Sequence, residues 1–419
     1  MSSNAISEQI SNKPSTSMQR WCRSLLLSRL AGLKDAGITL SEGEQDHVLG
    51  DNKAALQAYI EIHDPSFYTA LVFAGGVGAG ESYMQGLWDS PDLTTLMRVL
   101  ARNRSVLPKI DGGMAKALGW MQSALYRMQR NSMKGSRKNI AAHYDLDHRF
   151  FRLFLDHYGQ YSSAYFPTAN GTLEDGQLAK MRRIGDTLGL SPRTKLVEIG
   201  TGWGGLAVYL AKHYGCHITT TTISQSQYEQ ACRLVQQEGL GERVKVVKQD
   251  YRLLQGRYDR LVSVEMIEAV GDQYLTGYFD KISSLLKDDG LALIQAITIE
   301  DYRYQQALRR MDFIKKFIFP GSFIPSVSRI CTAMSETDLG LVNLHEMGAS
   351  YARTLAHWRQ RFHDQKDAVQ ALGFDERFMR MWHYYLCYCE GGFAERAIGN
   401  VQLLFAKPEA GRAGIEVVL

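Results

Sequence analysis

The sequence predicts an α/β fold: a Rossmann-like, doubly wound and mostly parallel sheet carrying a helical insertion, preceded by a smaller N-terminal α/β domain. Three observations predict it. From residue 195 onward, short apolar runs alternate with helical segments, the pattern of strands joined by crossover helices. The stretch "EIGTGWGG" (198–205) directly follows the first of those runs, where a tight turn delivers a ligand to a helix N-terminus. The chain also has 419 residues, enough for two domains or one large domain with additions.

The elements follow in order. Residues 1–17 are polar and read as a disordered tail. "MQRWCRSLLLSRLAGL" (18–33) reads as a basic amphipathic helix in which Trp21, Leu25, Leu26 and Leu30 can share a face. Such a helix either lies on a membrane or docks on its own domain. "YIEIHD" (59–64) and "YTALVFA" (68–74) read as strands, and "GGVGAGESYMQGLWD" (75–89) as a structural glycine-rich turn entering a helix. It lacks the Lys-Ser/Thr pair of a P-loop. The basic run "LYRMQRNSMKGSRKN" (125–139) reads as a linker or solvated face, or as a docking patch for anionic headgroups. The N-terminal domain and this linker together span 18–138, and the second domain 139–419.

In the second domain, helices are expected at 147–156, 173–190, 204–214, 224–238 and 272–287. Strands are expected at 195–199, 216–222, 244–248, 260–264 and 291–297, with 341–347 and 401–407 completing the sheet after a long aromatic-rich insertion.

Bulk properties exclude several classes. A net charge of +4 is too mild to argue for nucleic acid. The six cysteines form no C-x-x-C pair, so neither a metal site nor a disulfide framework is expected. No apolar run reaches the roughly eighteen residues a spanning helix needs. The N-terminus lacks a signal pattern, and a cytoplasmic protein that can visit a membrane surface is expected.

The glycine turn fits two cofactors. Gly200, Gly202 and Gly205 satisfy G-x-G-x-x-G, the dinucleotide pattern. Glu198, Gly200, Gly202 and Gly204 satisfy E-x-G-x-G-x-G, a spacing that holds S-adenosylmethionine. A nicotinamide site wants a carboxylate about twenty residues on, for the ribose diol, but "TTTTISQSQ" (219–227) offers none. S-adenosylmethionine carries an ammonium and a sulfonium, which suit Glu198. Asp250 and Tyr251 are placed to meet the adenine edge. Thr222, Ser224 and Gln227 can hold the ribose and methionine ends. The balance favours methyl transfer on a class I methyltransferase sheet.

The chain resembles the cyclopropane-fatty-acyl-phospholipid synthase family. The resemblance rests on "GESYMQGLWD" (80–89), "AHYDLDHRFFRLFLD" (142–156), "YSSAYF" (161–166), "VEIGTGWGGLAVYLA" (197–211), "TTISQSQ" (221–227), "QDYR" (249–252), "VSVEMIEAVG" (262–271), "FIKKFIFPGSFIPS" (313–326) and "YYLCYCEGGF" (384–393). It implies methyl transfer from S-adenosylmethionine to a cis double bond in a phospholipid acyl chain. A carbocation forms, and proton loss closes a cyclopropane ring. It adds Tyr161 and Ser162 to the cofactor-binding set.

The resemblance further implies a bicarbonate base held by Ser163, Glu268, Gln295 and Tyr351, with a backbone contact from Ile297. Ser163 and Gln295 stand where the family carries Cys and His. Glu265 stands where many bacterial relatives carry Gly, a combination closer to plant synthases and actinobacterial lipid methyltransferases. Glu265 is thus open to three roles: proton acceptor, cation stabiliser, or buried partner of a cation. Cys389 matches a cysteine once taken as the family's active-site residue, and reads here as structural, because alkene methylation needs no thiol.

Unsaturated phospholipid at the inner membrane face is the expected partner, with a homodimer left open. The alternatives are a methylated or methylene-branched chain as product, a non-catalytic lipid-binding scaffold, and a methyltransferase of a soluble small molecule.

Overall fold

The structure is a computed structural model describing residues 15–104 and 148–410. The expected N-terminal tail, apart from its last three residues, and the basic run 125–139 lie outside the described residues. The chain divides into two compact units.

The first unit comprises the N-terminal region together with Arg309–Ile318 and Asp367–Ala397. Its sheet contains β1 (Gly37–Glu42), β2 (Gln45–Gly50), β3 (Gln57–Ile62) and β4 (Trp88–Asp89), in the order β2-β1-β3-β4. In β3, buried and exposed residues alternate strictly, the mark of a half-buried strand. The helix Ser17–Leu30 is capped by Thr16 and buries Cys22, Leu26 and Leu30. Trp21 stays 50% exposed, so the helix docks on its own unit through Leu26 and Leu30 while Trp21 faces outward.

Two expectations are corrected here. Residues 68–74 are not a strand; they belong to the helix Ser66–Met84. An apolar run of seven fits a buried helix as well as a strand, and the chain continues helically through the glycines with one kink at Gly75 (φ 55°, ψ −137°). The glycines permit close packing: a Cβ on Gly78 would lie 2.0 Å from the Ala70 carbonyl oxygen, and one on Gly80 2.2 Å from the Phe313 ring.

The second correction concerns the domain boundary. Asp367–Ala397, assigned by sequence to the C-terminal domain, clusters with the first unit. Its helix Glu376–Ala394 is tied there by Arg380, bonded to Asp89 at 2.7 Å and lying over the Tyr83 ring. Gly391 sits against Met97, where a Cβ would approach to 2.7 Å. Glu395, just past the helix, takes Arg98 and Arg102, each at 2.9 Å.

The second unit holds a seven-stranded sheet: β5 (Lys195–Ile199), β6 (His217–Thr222), β7 (Val244–Lys248), β8 (Tyr258–Val264), β9 (Leu286–Ile299), β10 (Gly340–Glu346) and β11 (Ile398–Ala406). The order is β10-β11-β9-β8-β5-β6-β7. Strands β5 to β9 pair in parallel, and β11 runs antiparallel to both β9 and β10. Apolar residues fill both faces. Tyr278, Phe279 and Ile282 pack on one side; Ile184, Leu206 and Leu210 pack on the other. The chain steps from β5 outward to β6 and β7, then returns to β8 on the opposite side of β5. That reversal opens a crevice at the carboxyl ends of β5 and β8, where ligands of such sheets bind.

Candidate active site

The glycine turn leaves β5 and enters the helix Gly205–Tyr214. Gly200, Gly202 and Gly204 have φ of 99°, 52° and 93°, in the left-handed region that costs a side-chain-bearing residue strain. Gly205 is needed for a different reason: a Cβ there would sit 1.9 Å from the Tyr158 carbonyl oxygen. Nothing lies within 4 Å of a Cβ built on Gly202, so the crest of the turn faces open space. Trp203, unusual in such a turn, is buried and packs on Phe151 and His148 with ring centroids at 5.6 and 4.7 Å.

Below the turn, Glu198 is 3% exposed. Burial pushes its carboxyl up to about 8, while Thr220 and Lys180 pull the other way. Its Oε2 is buried without a hydrogen-bond partner. An orphaned buried carboxyl oxygen under an open glycine crest fits a donor bearing an ammonium group.

The other expected cofactor residues gather around this crevice, each with local bonds. The Thr222 hydroxyl donates to Gln227 Oε1 at 2.8 Å and accepts from the Ser224 N–H at 3.1 Å; the Ser224 hydroxyl accepts from the Gln227 N–H at 3.3 Å. Ser224 is the N-cap of the helix Gln225–Gln237, and these bonds fix the three side chains at the carboxyl end of β6. Asp250 is paired with Arg252 at 2.6 Å, and Tyr251 meets the Tyr278 ring edge-on at 5.6 Å.

Tyr161 belongs to an aromatic wall, with Phe151 at 5.0 Å, Trp358 at 5.4 Å and Phe319 at 6.2 Å. Its neighbour Ser162 accepts from Lys180 Nζ at 2.8 Å.

The segment after β8 lies against the turn: Met266 would be 3.3 Å from a Cβ on Gly200, and the Ser263 hydroxyl donates to the Ile199 carbonyl at 3.1 Å. This segment carries Glu265 and Glu268. Both keep some solvent-accessible surface although protein surrounds them densely, as expected for groups lining a crevice. Glu265 holds a left-handed backbone (φ 48°). Its Oε1 accepts from the Ser163 N–H, Gln295 Nε2 and Asn400 Nδ2, each at 2.9 Å. Its Oε2 accepts the Tyr351 hydroxyl at 2.7 Å. Glu268 Oε1 accepts the Ile297 N–H at 2.6 Å, and its Oε2 is buried without a partner. Burial, then the nearby Glu265 charge, push Glu268 up to about 8.

The structure therefore brings Ser163, Gln295, Tyr351, Glu265 and Glu268 together. One expectation changes: the Ser163 hydroxyl turns away to the Ala164 carbonyl at 2.8 Å, and its backbone faces the cluster instead, the N–H donating to Glu265 and the carbonyl accepting from Gln295 Nε2 at 3.3 Å. Cys389 belongs to the first unit, whereas this cluster belongs to the second. Burial pushes its thiol far up, the opposite of what a nucleophile needs.

Lys180, Gln177 and Asn400 escaped the sequence reading. Gln177 and Lys180 interrupt an otherwise apolar helix face at spacing three, and Asn400 immediately precedes the apolar run "VQLLFA" (401–406); polar residues in buried registers were the signal. Among the described residues, no group of three His, Cys, Asp or Glu can hold a metal.

The sequence model described as "Mycolic acid cyclopropane synthetase" matches residues 131–403.

The chain belongs to this family.

Among its relatives, the tuberculostearic acid methyltransferase UfaA1 of Mycobacterium tuberculosis is 38% identical over 79% of both chains. The cyclopropane-fatty-acyl-phospholipid synthase of Escherichia coli K12 is 34% identical over 84% of this chain and 88% of that one. A solved structure of the mycolic acid cyclopropane synthase CmaA1 bound to SAH and CTAB superposes with a TM-score of 0.61 at 28% identity, covering 65% of this chain and 98% of that one. As a member of the mycolic acid cyclopropane synthetase family, the chain is an S-adenosylmethionine-dependent methyltransferase with a class I methyltransferase sheet. That agrees with methyl rather than hydride transfer at the glycine turn.

Proposed function

We propose that the chain transfers the methyl carbon of S-adenosylmethionine to a cis double bond of an unsaturated phospholipid acyl chain and closes a cyclopropane ring. The observation that carries this reading is the pair Glu265 and Glu268 beside the Gly200 turn, within the unit that holds the aromatic wall of Tyr161, Phe151, Trp358 and Phe319. An alkene is a weak nucleophile, so donor and double bond must be held in line. The cation formed needs aromatic faces, carboxylates and exclusion of water. Glu198 and the glycine turn hold the donor; Tyr161 and Ser162 close over it from the facing loop.

The relative named for cyclopropane-fatty-acyl-phospholipid synthesis supports the ring-closing outcome. The relative named for tuberculostearic acid methylation favours a second outcome, in which hydride shift and proton loss leave a methylated or methylene-branched chain. The intact glycine turn counts against a non-catalytic scaffold. The substrate reading places the chain at the inner face of a membrane, and the exposed Met18 and Trp21 beside Arg20 support docking through the helix Ser17–Leu30. Among the described residues, no helix is long and apolar enough to cross a membrane.

The test is incubation with labelled S-adenosylmethionine and vesicles of unsaturated phospholipid, followed by proton NMR of the lipid. Upfield ring protons are expected. Label in an olefinic or saturated branch would select the second outcome, and no vesicle-dependent label transfer would overturn both.

A further inference from the structure

Four hydrogen-bond donors on four separate segments converge on one carboxylate. The Ser163 N–H comes from the loop before the helix Leu173–Thr187, Gln295 from β9, Asn400 from β11, and Tyr351 from the helix Gly348–Asp364. The arrangement is braced from behind. Gln402 Nε2 donates to Gln295 Oε1 at 3.1 Å, and Arg183 Nε donates to Gln402 Oε1 at 3.1 Å. This is an anion cradle built to carboxylate size, and the chain fills it with its own Glu265. The residue adopts a left-handed backbone to do so (φ 48°), a strain that persists where the surroundings dictate it.

We propose that Glu265 is the built-in proton acceptor of the reaction, so that turnover requires no bicarbonate or other free anion. This rests on the methyl-transfer reading above. In that reaction the alkene π pair forms a bond to the transferred carbon as its bond to sulfur breaks. One chain carbon is left cationic. A C–H bond of the added methyl then breaks, its electron pair closes the ring onto that carbon, and the proton passes to Glu265. Oε1 is saturated by three donors, whereas Oε2 accepts one hydroxyl and keeps a lone pair. Burial raises its pKa above the ordinary carboxylate range, and the Ser163, Gln295 and Tyr351 hydrogen bonds, with the Lys180 charge, oppose that rise. Extra basicity is unnecessary, because a proton next to a carbocation is strongly acidic; placement is what counts. Glu268 cannot share the role in the same protonation state: two adjacent carboxylates do not both ionise readily, and its own charge is disfavoured by Glu265.

The experiment uses the full chain, freed of dissolved carbon dioxide, with Glu265→Gly and Glu265→Gln variants. Turnover on unsaturated vesicles is measured with and without bicarbonate, and binding of carbon-13 bicarbonate is followed by NMR. Wild type is expected to turn over equally with and without bicarbonate and to bind none. Both variants are expected to lose about 10²-fold or more in turnover, the scale of a positioned base. Bicarbonate or formate should restore Glu265→Gly, which empties the cradle, but not Glu265→Gln, whose amide still fills it.

Wild-type turnover that depends on bicarbonate, bicarbonate bound while Glu265 is present, or a fully active Glu265→Gln would each overturn the proposal. The NMR arm separates it from the reading it rests on. A wild type with no turnover on any vesicle sinks methyl transfer to lipid, and the base role with it. Selective binding of bicarbonate by Glu265→Gly would still establish the self-filled cradle.

Discussion

Lys180 Nζ, wholly buried, donates to Ser162 Oγ at 2.8 Å and to Gln160 Oε1 at 2.9 Å. A lysine from the helix Leu173–Thr187 thus pins the loop that carries Tyr161, Ser162 and Ser163. Burial pulls its ammonium down to about 8, against the pull of Asp156, Glu265 and Glu198. Few buried lysines exist without such partners.

Replacing Lys180 with Met keeps the volume and removes the donors. Ser162 and Gln160 then lose a buried partner, a cost of about 1–3 kcal/mol. The loop is also released from the cofactor side of the crevice. Lys180→Met is expected to melt several degrees lower than wild type and to bind S-adenosylhomocysteine more weakly. Thermal melts with and without that ligand check both effects, and unchanged melting with unchanged affinity would refute the anchoring role.

Glu198 sets a pH dependence of defined sign. Its folded-state carboxyl, pushed up to about 8, holds its proton between the unfolded value of about 4.3 and 8, while the unfolded chain has released it. Stability contributed by this residue therefore falls as pH rises through that window. A Glu198→Gln variant mimics the neutral form and escapes the penalty. Its melting temperature relative to wild type is expected to climb from pH 5 to pH 8 and then level off. A difference independent of pH, measured in the absence of cofactor, would show that Glu198 is ionised in the fold.

How far the sequence revealed this site follows from what each residue's neighbours are. The glycine turn was legible because Gly200, Gly202 and Gly204 answer a local backbone demand, visible in their spacing. The parallel strands were legible from their apolar runs and crossover helices. The helix Ser66–Met84 was not, because its apolar face is continuous and its glycines serve contacts with Ala70 and Phe313, the latter far away in sequence. Asn400 and Gln402 sit 135 and 107 residues from the groups they bond; only the folded sheet, with β11 beside β9, makes them part of the cradle. Ser163 shows the same limit at finer scale, since its type suggested a hydroxyl contact and its backbone makes the bond.

Two glycines three residues apart, Gly202 and Gly205, should separate fold from cofactor binding. Gly205→Ala places a Cβ 1.9 Å from the Tyr158 carbonyl oxygen, a backbone clash that only a shift of the helix or of residues 156–160 relieves. Gly202→Ala meets no atom within 4 Å and costs about 1–2 kcal/mol of left-handed strain. Its methyl, however, projects over the crest proposed to hold the donor. Gly205→Ala is expected to lower the melting temperature sharply. Gly202→Ala should fold with a small loss and bind S-adenosylhomocysteine at least several-fold more weakly, measured by calorimetry. Equal affinity in Gly202→Ala and wild type would place the donor elsewhere.

Cys389 gives the last prediction. Its thiol sits in the helix Glu376–Ala394, in a different unit from the Glu265 cradle. Burial, then the charges of Asp312 and Cys387, push it far above the usual thiol range, so almost no thiolate exists at neutral pH. Methyl transfer to an alkene has no step that a thiol performs. Cys389→Ala is therefore expected to keep kcat within a few-fold of wild type. Replacing this half-buried thiol by a slightly smaller methyl should cost no more than about 1 kcal/mol of stability. Alkylation tests the same point without mutation: Cys389 in the native chain should react far more slowly than a free thiol, followed by mass spectrometry of the peptide that contains it. A large loss of kcat in a Cys389→Ala protein that melts like wild type would return this cysteine to the chemistry.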